Sequence, residues 1–304
     1  MLKKWRIDNG RLIANGEDAS LVYVYVAPDE AERRYLIDQL GIDEHTLNSS
    51  MDPFELSRLE FEPEHTAIIF KQPKHYLATD NFLFKVSSTG IFVFKDRLII
   101  VVADEGPLFD GKPFVRIQTI QDIILKLLYR SITHFVEHLK GIDMLASEIE
   151  KEINISMENK HLLNMFTLEK SLVYYLNAIN SNGALIEKLK NNSARLGFGP
   201  DHLEFLDDII IENTQCRGQA EIYSQVLSSL MDARASIVGN NLNIRIKALT
   251  LITLAIMLPT FVVSLFSMNV RIPLSTLHNA FWIISLLAAL SALMMVFIWW
   301  RKRL

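Results

Sequence analysis

Two long runs without a charged residue lie near the end of the sequence, and they limit what it can fold into. The first covers residues 248–266 and the second covers residues 280–300. A helix needs about 20 mostly apolar residues to cross a hydrocarbon core of roughly 30 Å. Both runs reach that length, so we predict two membrane-spanning helices. The alternative is a buried helical hairpin in a soluble protein, which seldom requires two consecutive runs of this length.

The charges beside these runs predict how the chain is oriented in the membrane. Arg245 and Lys247 precede the first run, and the basic tail 301–303 follows the second. Positive residues tend to stay on the cytoplasmic side. We therefore expect a multi-pass protein of the inner (cytoplasmic) membrane, surrounded by the lipid bilayer, with both termini in the cytoplasm. The loop 267–279 would lie outside.

The overall charge and the cysteine count exclude several classes of function. The net charge is −4, whereas a nucleic-acid-binding protein normally has a basic face, so no nucleic-acid partner is expected. Cys216 is the only cysteine, which excludes a disulfide framework and a cysteine zinc cluster within one chain. The sequence contains no recognisable nucleophile motif or phosphate-binding loop. We therefore predict that the protein is not an enzyme.

The part before the membrane runs has two patterns, which predict an α+β cytoplasmic domain followed by long stalk helices. Within residues 1–115, strand-like stretches rich in β-branched and aromatic residues alternate with turn residues, and a helical stretch follows the first of them. Residues 116–247 have a helical period, which is interrupted at 196–200 by two glycines and a proline. The remainder, 248–304, is the predicted transmembrane domain.

The last stalk helix is predicted to continue into the membrane. From Asp201 the helical pattern runs without a proline as far as Pro259. A helix of about 65 residues would be roughly 100 Å long, and it could carry a cytoplasmic event mechanically to a pore. Pro259 can be a tolerated membrane proline or a functional hinge.

Two histidines on one predicted helix leave a choice open. His134 and His138 are four residues apart, a spacing that can bind a metal ion. A solvated helix face is the interpretation we favour for them. The isolated His65 and His75 are interpreted as ordinary surface or strand positions.

The residues around the first membrane run resemble the CorA family of divalent-cation transporters. The resemblance covers the whole chain in architecture and is most specific at 240–270. The matching positions are Asn243, Lys247, Leu249, Thr250, Met257, Pro259, Met268 and Asn269. It implies a CorA-like funnel that is a homopentamer, transporting Mg²⁺ and in addition Co²⁺ or Ni²⁺.

The sequence departs from that family at two places. Ser267 stands where the family has the glycine of Gly-Met-Asn, and the loop contains Arg271 and no acidic residue. A zinc-transporting branch has Gly-Val-Asn, so Met268 favours the magnesium branch. Two alternatives stay open: transport of Zn²⁺ or of cations with weak selectivity, and a non-conducting membrane-anchored scaffold or sensor.

The resemblance also implies roles for individual residues. The selectivity filter would be Ser267, Met268 and Asn269, although Asn269 could instead be a helix cap. A regulatory Mg²⁺ would be held between subunits by Asp208, or by Asp207 if the assignment slips by one, together with an acid such as Asp104 or Glu105. A solvated acidic helix face is the alternative for the two aspartates. The implied pore-lining residues, which could equally pack against other helices, are Asn243, Ile246, Leu249, Thr250 and Met257.

Overall fold

The computed structural model describes residues 1–14, 20–110, 114–155, 159–268 and 277–302. The chain divides into two compact units, which we call the N-terminal unit (Met1–Met231) and the C-terminal unit (Asp232–Leu304).

A seven-stranded mixed sheet forms the centre of the N-terminal unit. Its strand order is β2-β1-β3-β7-β6-β5-β4. Strands β3 and β7 are parallel, and the other neighbouring pairs are antiparallel. The strands are β1 (Leu2–Asp8), β2 (Arg11–Ala14), β3 (Val22–Val26), β4 (Arg58–Phe61), β5 (Thr66–Pro73), β6 (Val86–Val93) and β7 (Leu98–Val102).

The predicted strand-like stretches correspond to β3, β5, β6 and β7. The hairpin of β1 and β2 was not predicted, and it begins before them in the chain. Its turn is Asn9-Gly10, with φ of 48° and 75°. Two successive positive φ values match the twist of a tight hairpin, and Asn-Gly is the pair that adopts them most readily.

Helices cover both faces of the sheet. On one face, α1 (Glu30–Arg34) and α2 (Glu44–Ser49) surround a small core that includes Leu36, Leu47 and Phe92. The opposite face packs against α3 (Ile120–Ile155) and α4 (Asn159–Asn191), in a larger core that includes Ile68 and Phe135.

The helical stretch predicted between β3 and β4 is interrupted. Helix α1 continues into a π-helical turn, Tyr35–Gln39, and the chain then reverses at Gly41, whose φ is 66°. Asp29 and Asp43 cap α1 and α2 by accepting backbone N–H bonds. Gly41 supplies the left-handed conformation that ends the first helix, and Asp43 starts the second.

Helices α3 and α4, which the sequence places in the stalk, lie directly on the sheet and run antiparallel to each other. Ser131 on α3 and Asn182 on α4 both donate to the Lys71 carbonyl of β5, while Glu152 pairs with His161 near the other end. The Asn182 side chain also accepts the Lys71 backbone N–H at 2.8 Å. Strand β4 pairs with β5 only as far as Ile69, so this amide takes the place of a missing strand.

The last two long helices are close to their predicted bounds. A short helix, α5 (Ser193–Leu196), ends at Gly197, and α6 then runs from Pro200 to Leu265. Helix α7 is Ala280–Lys302. Within the N-terminal unit, α6 packs by its buried residues Leu206, Ile209, Asn213, Cys216, Ala220 and Leu227. Gly183 leaves room for this contact, because a Cβ there would lie 2.9 Å from Nδ2 of Asn213.

Candidate pore helix and ion sites

The C-terminal unit contains the end of α6 and all of α7, and both helices have the composition of membrane spans. Their most apolar 18-residue windows have mean hydropathies of 2.2 and 2.5, and neither window is buried inside the chain. Helix α6 remains continuous across Pro259. The proline has no backbone N–H and so removes one donor from the helix. Next to it, the Thr260 hydroxyl donates to the Ile256 carbonyl at 2.7 Å, a bond within the same helix.

One face of α6 is partly covered by the C-terminal unit itself. Between residues 248 and 265, the partly buried residues are Leu251, Ala255, Pro259 and Val262. At 100° per residue they fall within an arc of about 80°. A cavity of about 270 Å³ adjoins this face, and it is lined by Ala248, Leu251, Ile252 and Ala255 from α6 and by Met295, Val296 and Trp299 from α7.

The covered face of α7 combines small residues with the larger Ile284 and Met295, which are partly buried. Ala288 is buried, while Ser291 and Ala292 are partly buried. Ser291 donates its hydroxyl to the Ala288 carbonyl at 2.7 Å, so its polar group is satisfied within the helix. Small residues let membrane helices approach each other closely. On the same helix, Met295, Val296 and Trp299 line the cavity that Leu251 and Ala255 of α6 also line.

The predicted pore-lining residues lie on the other side of α6. Ile246, Leu249 and Met257 are 51%, 65% and 63% exposed, and Asn243 and Thr250 are also exposed. All five fall within an arc of about 120°, whose centre is opposite the covered face. Thr253, Phe261 and Ser264 lie within the same arc, and the sequence analysis did not include them although the same helical period would have found them.

The predicted filter begins directly after α6. The backbone N–H of Ser267 donates to the Ser264 carbonyl at 3.1 Å, which continues the helix by one turn. Ser267 and Met268 are both exposed, Met268 at 53%. Asn269 and Arg271 lie outside the described residues.

The two aspartates of the predicted regulatory site have different surroundings. Asp207 forms an ion pair with Lys190, with Oδ1 and Nζ 2.6 Å apart. Asp208 is exposed and has no ion pair with any residue that the structure describes. Of the two, Asp208 is the carboxylate that is available to a cation.

The acids that could join Asp208 are already engaged within the chain. Asp104 pairs with Lys74 at 2.8 Å, and Glu105 pairs with Lys3 at 2.6 Å. Over the described ranges, no group of three or more His, Cys, Asp or Glu side chains is arranged to hold a metal ion. One chain by itself therefore does not assemble the predicted regulatory site in its described part.

The interpretation of His134 and His138 as a solvated helix face is wrong. Both are partly buried, and their rings lie 4.4 Å apart. Nδ1 of His138 is 2.6 Å from the hydroxyl of the fully buried Tyr175, and the ring of His75 lies 5.4 Å from that of His134. Burial lowers the pKa of both His134 and His138 to about 4, so both are neutral at pH 7.

Comparison with known proteins gives the same architecture over nearly the whole chain. A cobalt/magnesium transport protein CorA from Methanocaldococcus jannaschii is 23% identical over 298 residues, which cover 94% of this chain and 92% of that protein. Its complete structure superposes with a TM-score of 0.77 at 20% identity, covering 99% of this chain and 96% of the other. The full-length CmaX protein gives 0.75 at 16% identity, covering 100% and 98%.

A cytoplasmic domain solved on its own shares the fold over part of this chain as well. The ZntB cytoplasmic domain from Vibrio parahaemolyticus superposes with a TM-score of 0.60 at 11% identity, covering 78% of this chain and 98% of that domain. The family model described as CorA-like Mg²⁺ transporter protein matches residues 19–303. Because that match spans almost the entire chain, and the fold and the two spans agree with it, the chain belongs to the CorA-like Mg²⁺ transporter family.

Proposed function

We propose that this member of a divalent-cation transporter family forms a homopentamer that conducts Mg²⁺ across the cytoplasmic membrane, and that Co²⁺ and Ni²⁺ are further substrates. The observation that carries the proposal is the division of α6 into two faces. One face contacts α7, and the opposite one, which holds Ile246, Leu249 and Met257, is exposed in the single chain. A pair of helices cannot enclose an aqueous path, so the exposed faces of several copies must line it around a common axis.

The chemistry of this path suits a hydrated cation. Mg²⁺ gives up its water reluctantly, so a filter can select the hydrated ion through neutral oxygen acceptors. A ring of Asn269 amide oxygens, one from each copy, would supply them at the end of α6. Below that ring the exposed stripe is apolar at Ile246, Leu249 and Met257, and apolar constrictions gate pores by dewetting.

The orientation follows from the basic residues beside the spans. Arg245, Lys247 and the tail 301–303 would remain in the cytoplasm, so both termini lie there and the filter faces outward. A negative interior then drives uptake, because each elementary charge gains about 2.3 kcal/mol per 100 mV. A divalent ion gains twice that amount.

The test is Mg²⁺ uptake by the purified protein in liposomes with a fluorescent indicator inside. Asn269→Ala should lower the flux at least tenfold, since hydrogen bonds to charged groups contribute about 1.5–3 kcal/mol each. Asn279→Ala is the matched control, because it removes an amide from the same predicted loop and should leave the flux within about twofold. Wild-type flux from the Asn269 variant would reject the filter role and leave Asn269 as a helix cap.

Weakly selective cation passage, including Zn²⁺, is a second candidate that Ser267 and Arg271 favour. Ser267 does not have a positive φ, so its backbone is not strained, and its difference from glycine lies in the added hydroxyl at the mouth of the path. An arginine from each copy would also repel cations. Uptake of Mg²⁺ in competition with Zn²⁺ and Ni²⁺ separates the candidates, and Ser267→Gly should sharpen the preference for Mg²⁺. A wild-type protein without any flux would indicate the scaffold or sensor instead.

A regulatory Mg²⁺ at Asp208 is the remaining part of the proposal. Asp208 is exposed and has no ion pair in the described part of the chain, whereas Asp207 forms an ion pair with Lys190. Removal of Mg²⁺ should increase cleavage of the cytoplasmic part by a protease, and Asp208→Ala should give the same increase at high Mg²⁺. Asp207→Ala serves as the control. If both variants are digested like the wild type with and without Mg²⁺, the site is absent.

A further inference from the structure

A polar cavity of about 450 Å³ lies within the N-terminal unit. Its wall consists of the end of β5 and the residues after it, the segment 104–108, and one side of α3. The lining residues that carry the argument are Lys74, His75, Asp104, Glu105, Arg130 and His134. The volume falls within the range of small-molecule sites, roughly 300–1,000 Å³.

The acidic side chains of this cavity already have cationic partners. Asp104 pairs with Lys74 at 2.8 Å, and Glu105 pairs with Lys3 at 2.6 Å. Their charges are therefore compensated within the chain. A cation entering the cavity would have to displace one of these lysines.

Arg130 has no ion pair with any residue in the described part of the chain. It is partly buried, and its Nη1 is fully buried without a hydrogen-bond partner among the residues that the structure describes. Asp110 and Glu137 act on it only through space, without an ion pair. A buried donor without a partner costs about 1–3 kcal/mol, and more when the group is charged. The guanidinium fork fits two oxygens of a phosphate or carboxylate.

Two imidazoles stand beside Arg130 in the same cavity. His134 is one helical turn from it on α3, and the ring of His75 lies 5.4 Å from the ring of His134. Gly106 permits this arrangement, because a Cβ there would already lie 3.2 Å from Nε2 of His75. The ring of His138 contacts that of His134, and Nδ1 of His138 already forms a hydrogen bond with the Tyr175 hydroxyl. A neutral imidazole can donate one N–H to an anion.

A metal ion is the other ligand that grouped histidines suggest, and the surroundings argue against it. The described residues contain no group of three potential ligands with suitable geometry. The positive charge of Arg130 would also repel a cation at this place. The same charge attracts an anion.

We propose that this cavity binds the phosphate group of a small metabolite, with Arg130 as the main contact and with His134 and His75 as hydrogen-bond donors. The space exceeds that of a free phosphate ion and accommodates an organic part up to the size of a nucleotide. The inference does not depend on ion conduction, because every residue it uses lies in the N-terminal unit. Its failure and the failure of the transport proposal are therefore separate results.

The test is isothermal titration of the full-length protein in detergent, in a phosphate-free buffer. Inorganic phosphate and a ribonucleoside 5′-monophosphate are titrated in separate arms, and Zn²⁺ is titrated in a third. We expect saturable binding of at least one phosphate compound. Arg130→Gln should weaken that binding tenfold or more, because it removes a bidentate charged contact. Tighter binding of the nucleotide than of phosphate would show that the organic part is recognised too.

Two further variants keep the result interpretable. Arg217→Gln removes an arginine that pairs with Glu221 outside the cavity, so it should bind like the wild type. His75→Gln changes an exposed side chain at the cavity, so its binding loss of severalfold is not caused by misfolding. The proposal is overturned if the folded wild type binds neither phosphate compound at about 10 mM, if Arg130→Gln binds as tightly as the wild type, or if only Zn²⁺ binds and His75→Gln abolishes it.

Discussion

The two units of this chain differ in what covers their apolar residues. In the N-terminal unit, Ile68, Phe92 and Leu172 are each 0% exposed, because the sheet and its helices cover one another. In the C-terminal unit, Leu249 and Leu293 are 65% and 64% exposed. An apolar surface of this extent is stable only beside lipid or another protein. The first unit therefore has its packing partners in its own sequence, whereas the second depends on lipid or on another protein.

The units also differ in how their polar groups are satisfied. In the N-terminal unit the Asn182 side chain bonds across elements, to β5 and to Ser57. In the C-terminal unit, Thr250 and Thr253 donate to carbonyls four residues earlier in their own helix, at 2.9 Å each. Such local bonds need no partner element, so they survive in lipid. Polar contacts therefore join different elements in the N-terminal unit, whereas the threonine contacts in the C-terminal unit stay within one helix.

The largest expected effect comes from removing the Asn182 side chain, which links α4 to β5 and to Ser57. Asn182→Ala removes three hydrogen bonds of 2.8 Å and leaves the Lys71 backbone N–H, in a buried position, without its side-chain acceptor. We expect a loss of about 3 kcal/mol, because each unmade buried bond costs about 1 kcal/mol or more. Thermal unfolding followed by circular dichroism measures it, and hydrogen exchange of β5 should accelerate.

Asn180→Ala is the control for this change, because Asn180 lies on the same helix and is exposed. It should alter the stability by no more than about 0.5 kcal/mol. Equal stability of the two variants would mean that water replaces the Asn182 amide, and the contrast between the units would lose its polar part.

Much of this architecture can be predicted from the sequence, because helices have a local signature. The start of α6 was predicted within one residue, at Asp201 against Pro200. The strands β3, β5, β6 and β7 follow β-branched runs. The β1–β2 hairpin was missed although Asn9-Gly10 is a strong turn signal, because the polar residues of β1 and β2 hide the alternation at this sheet edge.

The site was harder to predict than the fold, for a physical reason. The period of α6 gives the relative angles of its residues, but the sequence does not show which arc α7 covers. That assignment depends on packing between elements far apart in the chain. The same limit explains the histidines: four-residue spacing places His134 and His138 on one face, and only the tertiary structure places Tyr175 and His75 beside that face.

The next largest effect is a dependence of stability on pH. It should come from the N-terminal unit, because among the described residues the buried histidines lie only there. The folded pKa of His134 and of His138 is about 4, below the ordinary value of 6.5, because burial disfavours the charged ring. The unfolded chain therefore binds more protons between pH 6.5 and pH 4. Stability is complete above pH 6.5 and is lost as the pH falls toward 4. We expect a loss of about 2 kcal/mol at pH 5 for the pair, allowing for partial exposure.

Thermal unfolding at pH 7.5 and pH 5 measures this loss. His138→Gln should reduce the dependence on pH, because it removes one ring whose pKa burial lowers while His134 and the buried His65 remain. His45→Gln is the control, since His45 is exposed. A pH dependence that is the same in all three proteins would assign the loss to other groups, namely His65 or carboxylates.

The smallest expected effect concerns the C-terminal unit. An asparagine is introduced on α6 either in the proposed pore arc or on the side next to α7. Ile246 and Ile252 are both on α6 and are 51% and 58% exposed, but Ile252 adjoins the α7 cavity and Ile246 lies in the proposed pore arc. Ile246→Asn places an amide in a constriction that closes by dewetting, so water and ions should enter more readily and Mg²⁺ flux in liposomes should rise about tenfold. Ile252→Asn places the same amide beside α7 or lipid, where it lowers the stability of the assembly and adds no path for ions. We therefore expect Ile246→Asn to change the flux and Ile252→Asn to change the stability of the oligomer. An equal rise in flux from both variants would mean that the arc around Ile246 is not the conducting face, and that the contact with α7 leaves a different side of α6 toward the axis.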